Sequence, residues 1–94
     1  MASPKNQQYF KKAKDMFPGG VNSPVRTFRA VSTPPIAVSK GKGPYIWDMD
    51  GKQYTDYLQS WGALIVGHAH PAVTRAIHEA AGRGTSYGLS SRPE

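Results

Sequence analysis

Asp50-Gly51 stands between two runs that read as strands, and no other feature of this chain constrains its fold so tightly. Tyr45, Trp47 and Met49 alternate with Ile46 and Asp48 before it, and Gln53 to Leu58 return after it. A type I′ turn needs positive φ at both central residues, and Asp-Gly supplies this at low cost. The pattern therefore predicts an antiparallel hairpin. A further short strand candidate, Ile36 to Ser39, precedes it, joined by the turn Lys40-Gly41-Lys42-Gly43. Residues 36–58 are expected to form a small antiparallel sheet of three strands.

Ahead of the sheet, Ser3-Pro4 predicts a helix start, with the hydroxyl as cap and proline in the first turn. Tyr9, Ala13 and Met16, with Phe10 and Phe17 beside them, follow helical spacing, and Lys11, Lys12 and Lys14 form a solvated opposite face. Pro18-Gly19-Gly20 ends the helix, because proline cannot continue it and glycine takes left-handed angles cheaply. From Val21 to Pro35 no periodicity lasts, and Pro24, Pro34 and Pro35 each hold their predecessor extended. That stretch is expected to run as an irregular strap. Within it Asn22, Ser23 and Arg26 place an amide, a hydroxyl and a guanidinium within five positions. Such a turn suits a small anion, above all a carboxylate, which the rigid fork of Arg26 matches bidentately. The plainer reading is a surface loop with one solvated arginine.

After the sheet, Ser60 to Gly67 is apolar and bounded by glycines, and Trp61 within it reads either as a core or interface aromatic or as a pocket wall. His68-Ala69-His70 lacks a third metal ligand at a familiar spacing and has no carboxylate beside it in sequence, so both histidines are expected to make local bonds at the mouth of the next helix. That helix begins at Pro71, carries Val73, Ala76, Ile77 and Ala80 on one stripe, and closes at Gly82 and Gly84. Arg75 and Glu79 stand four apart on it, where they can pair. Thr85 to Glu94 reads as a polar loop.

Ten glycines, eight prolines and an apolar content of 38% in 94 residues suit the opening piece of a larger protein better than a self-sufficient globule. The formal charge of +6 motivates one further reading, a small basic binding module. Beyond Lys11, Lys12 and Lys14 the basic residues are scattered, and no aromatic-and-basic repeat of the RNA-binding kind occurs. With no cysteine there is neither a disulfide nor a thiolate metal site. The start MASPKNQQ has no apolar core and no arginine-rich amphipathic run, so neither a signal nor a transit peptide is expected. Trp61 to Val66, the longest apolar stretch, is too short to span a bilayer, and the cytoplasm is the expected location. A phosphate-cradling loop and a nucleophile elbow are both missing, and Asp48 and Asp50, beside the hairpin turn, read as structural. On these grounds alone the chain is α/β and suited to binding a small anion.

Three motifs go further. PGGVNSPVR at 18–26, YIWDMDGKQYTDY at 45–57 and SWGALIVGHAHP at 60–71 resemble the glutamate-1-semialdehyde 2,1-aminomutases, a branch of the class III aminotransferases. The hairpin and the GHAHP-then-helix pattern are general to class III, whereas the strap and SWG are closer to the aminomutases. The resemblance implies the amino-terminal segment of a fold type I pyridoxal-phosphate transferase. Residues 1–35 would be the helix and substrate strap, and 36–94 the sheet and helix leading into a large cofactor domain. It implies conversion of glutamate-1-semialdehyde to 5-aminolevulinate for tetrapyrrole synthesis, pyridoxal phosphate as cofactor, and a homodimer. By position, Ser23, Arg26 and Trp61 would line the substrate pocket, with Arg26 on the substrate carboxylate. The family's phosphate loop, pyridine-nitrogen aspartate and Schiff-base lysine have no counterpart in these residues. Another class III ω-aminotransferase is the alternative. Here Leu89-Ser90-Ser91-Arg92-Pro93 follows Tyr87-Gly88, where the family usually has Ala-Pro-Thr.

Overall fold

A computed structural model describes residues 4–31 and 33–92 of the chain. Helix α1 spans Pro4–Met16, followed by short 3-10 turns at Pro18–Gly20 and Pro24–Thr27. Strands β1 (Val38–Lys42), β2 (Tyr45–Asp48) and β3 (Gln53–Thr55) come next, then helix α2 (Pro71–Ala81). The strands form one antiparallel sheet in the order β1-β2-β3, with Gly41 opposite Ile46 and Ile46 opposite Tyr54.

The expected sheet is present, with shifted boundaries. β1 begins at Val38 rather than Ile36 and continues through Lys40 and Gly41, which were expected to turn. Gly41 stays in the strand because its bare face is where the His68 ring lies: a Cβ there would come within 2.6 Å of His68 Cγ. The chain turns instead at Gly43-Pro44. A bulge at Ser39 lets its hydroxyl donate to the carbonyls of Trp47 (3.1 Å) and Asp48 (2.8 Å).

The hairpin loop is not a two-residue type I′ turn. Only Gly51 takes a positive φ, +83°, while Asp50 does not. Gly51 N–H donates to Asp48 O (3.1 Å) and Asp48 N–H to Lys52 O (3.0 Å), an arrangement in which a left-handed glycine follows the turn. The reason lies in the Asp48 side chain. Its Oδ1 collects the amides of Asp50 and Lys52, both at 2.9 Å, and shapes the loop from within.

Asp48 is also where α1 meets the sheet. It is 3% exposed, and its Oδ2 accepts from Asn6 Nδ2 (3.0 Å) and Tyr54 Oη (3.1 Å). Asn6, 4% exposed, accepts in turn from the Ala37 amide (3.1 Å). The inward face of α1 is therefore Asn6, Phe10 and Ala13, rather than the expected Tyr9, Ala13 and Met16, and Tyr9 and Met16 are exposed. An asparagine on the packing stripe hides the true face from a hydrophobicity pattern. Ser3, the expected cap, lies outside the described residues. The hairpin receives amides of the first turn: Lys5 N–H donates to Asp50 Oδ1 (3.2 Å) and Asn6 N–H to Asp50 Oδ2 (3.0 Å). Lys14, exposed like Lys11 and Lys12, also lies over the Phe10 ring, 5.1 Å from its centroid.

α2 starts and ends as expected, with His70 Nδ1 accepting from Ala72 N–H (3.3 Å) at its start and Gly82 N–H reaching back to His78 O (3.3 Å). Arg75 and Glu79 form no ion pair. No helix among the described residues is long and apolar enough to cross a membrane.

Candidate functional site

The strap leaves α1 through Gly20, which is buried against Phe10 and Lys14, so that a Cβ there would meet the Phe10 ring at 2.7 Å. This fixes where the strap departs. Val21 and Ser23 take extended dihedrals, and Pro24 starts the second 3-10 turn, closed by Arg26 N–H donating to Ser23 O (3.0 Å). Arg26 Nη1 donates to Asn22 Oδ1 at 2.7 Å. A neutral amide thus aims the guanidinium without cancelling its charge, and Arg26 forms no ion pair among the described residues. Among the described residues its remaining N–H donors have no partner.

Arg26 lines a cavity of about 360 Å³ between α1, the strap and the residues leading into β1. Phe10, Phe17, Val21 and Ile36 supply its apolar wall, with Asn22 beside Arg26. One cationic fork on an apolar wall is suited to a small anion that carries a short aliphatic stem. Ser23 lines a neighbouring hollow of about 510 Å³, and Asn22 borders both. Among the described residues the Ser23 hydroxyl has no hydrogen-bond partner.

Trp61 stands on a different segment. Gln59, Ser60 and Trp61 have φ of +48°, +52° and +60°, and Gly62 follows at +86°. Three consecutive non-glycine residues in the left-handed region are unfavourable by about 1–2 kcal/mol each, and such strain persists where the surroundings over-determine it. Trp61 is 74% exposed, and no hydrogen bond or ring contact joins it to Ser23 or Arg26. The three residues expected in the substrate pocket are thus a pair on one turn and a tryptophan carried by another loop.

Two polar groupings escaped the sequence reading. One is Asn6–Asp48–Tyr54. Burial alone would raise the Asp48 pKa, but hydrogen bonds from the Lys52 and Asp50 amides, Tyr54 and Asn6 outweigh it and leave the pKa below 3.8. Burial and that same carboxylate raise the Tyr54 phenol above 10. The other is His68 with Asp56, Nε2 to Oδ2 at 2.6 Å. His68 was expected to bond locally at the start of α2, as His70 does. Instead it meets a carboxylate twelve positions earlier, brought alongside by the sheet. The bond from His68, joined by those from the Gln59 and Leu58 amides, holds the Asp56 pKa below 3.8. The isolated pattern HxH carried no signal of this partner.

The sequence profile of the aminotransferase class-III family matches residues 27–90. A glutamate-1-semialdehyde 2,1-aminomutase from Methylacidiphilum infernorum is 58% identical over 86 residues, covering 92% of this chain and 20% of the relative. One from Nitrosomonas europaea is 53% identical over 89 residues, 95% of this chain and again 20% of the relative. A solved structure described as a transaminase with PLP bound matches with a TM-score of 0.83 at 36% identity, covering 98% of this chain and 21% of that one. The chain thus spans about a fifth of the length of the proteins it matches. Its helix, strap, sheet and second helix reproduce the corresponding part of a PLP transaminase, and the chain belongs to the class-III aminotransferase family.

Proposed function

We propose that this chain is the amino-terminal part of an aminomutase that converts glutamate-1-semialdehyde to 5-aminolevulinate, and that its strap binds the substrate carboxylate. Arg26 carries the reading: its guanidinium is aimed by Asn22, keeps its charge, and faces a small apolar-walled cavity. A five-carbon chain ending in a carboxylate has the chemistry that such a cavity fits. Ser23 and Trp61 are assigned to the same substrate, Ser23 as a hydroxyl partner and Trp61 as an apolar wall. In this reading 1–35 is the unit of helix and strap, and 36–94 the unit that leads into the cofactor domain.

Pyridoxal phosphate, the cofactor this reading requires, supplies an electron sink for amino transfer when bound. The residues present here do not form its cradle. Lys14, Lys40 and Lys52 lie over Phe10, Trp47 and Tyr54, and no described lysine stands in a cavity beside Arg26. Its phosphate and carbonyl would be held by the remainder of a homodimeric protein.

In the complete protein, Arg26→Ala is expected to raise KM by roughly 10- to 100-fold, the loss of one charge-assisted contact, with the bound-cofactor absorbance intact. Loss of that absorbance would make the strap a scaffold instead. A class III ω-aminotransferase is the second reading, supported by the likeness to an omega-transaminase structure from Sphaerobacter thermophilus, TM-score 0.79 at 27% identity. Formation of 5-aminolevulinate without an added amino acceptor separates the two, because a transaminase needs one.

A further inference from the structure

Residues 56–68 form a loop without strand or helix whose two ends sit on one short turn. Asp56 N–H donates to Pro44 O (2.8 Å), while His68 exchanges both backbone bonds with Gly43, at 2.8 and 2.9 Å. Side chains repeat this closure. His68 Nε2 meets Asp56 Oδ2 at 2.6 Å, and the ring is seated on the bare face of Gly41. The other carboxylate oxygen turns into the loop, where Asp56 Oδ1 accepts from the amides of Leu58 (2.9 Å) and Gln59 (3.0 Å). Gln59 Nε2 returns to Asp56 O (2.7 Å). Gln59 is the first of the left-handed residues, and its carbonyl accepts from Gly62 (3.1 Å) and Leu64 (3.1 Å). An unbroken series of bonds therefore runs from the His68 ring to the backbone on either side of Trp61.

We propose that Asp56 and His68 are positioning residues for Trp61: the histidine, fixed between Gly41 and the carboxylate, locks Asp56 in the rotamer that holds residues 59–62 left-handed. No hydrogen bond or ring contact joins either residue to the indole. Their effect passes through the turn they close, and without it three non-glycine residues have no reason to stay in the left-handed region. A His68 side chain that only filled space would leave Trp61 indifferent to which polar group stood at position 68. The consequence for substrate binding rests on the reading of Trp61 as a pocket wall.

The test uses the complete protein labelled with fluorotryptophan, the Trp61 resonance being the one lost in Trp61→Phe. His68→Ala and Asp56→Ala are expected to move or broaden that resonance while leaving the Trp47 resonance of β2 in place. His68→Gln, whose amide can still donate to Asp56, is expected to restore it. A Trp61 resonance unmoved in His68→Ala, or moved equally by alanine and glutamine, overturns the proposal. KM is read in parallel and is expected to rise about tenfold in His68→Ala, as for a pocket group displaced by a fraction of an ångström. Trp61→Phe with unchanged KM would remove the pocket-wall reading alone, because the resonance decides the positioning role without reference to substrate.

Discussion

Two aspartates behave oppositely to what their surroundings first suggest. Asp48 is almost wholly buried, yet four donors converge on it and keep it ionised, while Asp56 is lowered first by His68. Both pKa values lie below the ordinary 3.8, so both carboxylates add stability above that value and lose it as the pH falls through their folded pKa values. Acid is therefore expected to loosen α1 from the sheet and the 56–68 loop from its base below about pH 4. Asp48→Asn in the complete protein should lower stability at neutral pH, because an amide must turn a donor toward Asn6 and Tyr54 or toward two backbone N–H groups. It should also flatten the acid limb of the stability curve. Unfolding midpoints measured between neutrality and pH 3 check this, and a variant with an unchanged acid limb would show that Asp48 does not govern it. None of this was visible in the sequence, where Asp48 and Asp50 read only as flanks of a turn. Their partners lie 42 and 45 positions away, at Asn6 and Lys5.

Elements were far more legible than their partners. Pro71 and Gly82 bracket α2 because the first turn tolerates proline and the last residues favour glycine, rules that act within a few positions. The aromatic alternation before Asp50-Gly51 revealed the hairpin for the same reason. Where an element's limit depends on something distant, sequence misplaced it: β1 runs through Gly41 only because His68 lies on that glycine. The site divided in the same way. Asn22, Ser23 and Arg26 are close in sequence and remain close in space, whereas the turn that carries Trp61 is organised from position 68. α1 shows the same dependence at its start, where the hairpin's Asp50 receives amides of its first turn. Asp50→Ala should cost about 1 kcal/mol of local stability, typical of losing a helix cap, and be read as faster amide exchange at Lys5 and Asn6 with β2 and β3 unchanged. Equal protection in both proteins would assign the capping elsewhere.

At the scale of the molecule, surface is the deciding quantity. The chain exposes 7924 Å², against roughly 5300 Å² for a compact monomer of this mass, and Ala13 is the one buried apolar residue among those described. The predicted stripe of α2 exists, but Val73 and Ile77 on it are 45% and 57% exposed. A helix whose apolar face meets water gains little from that face. By itself, this stretch is expected to unfold over a broad range, to bind a hydrophobic dye, and to give no stoichiometric spectral change with pyridoxal phosphate. Thermal melts, dye fluorescence and a cofactor titration check each point, and a sharp cooperative melt would contradict the surface argument. The cap supplied by Asp50 also sets a sequence in time. A ribosome adding roughly 5–20 residues per second finishes α1 about 2 to 7 seconds before the aspartate that secures it has been made. Helix α1 therefore waits on the hairpin, and a pause or rare codon between the two would lengthen the interval in which its amino-terminal turn stays frayed.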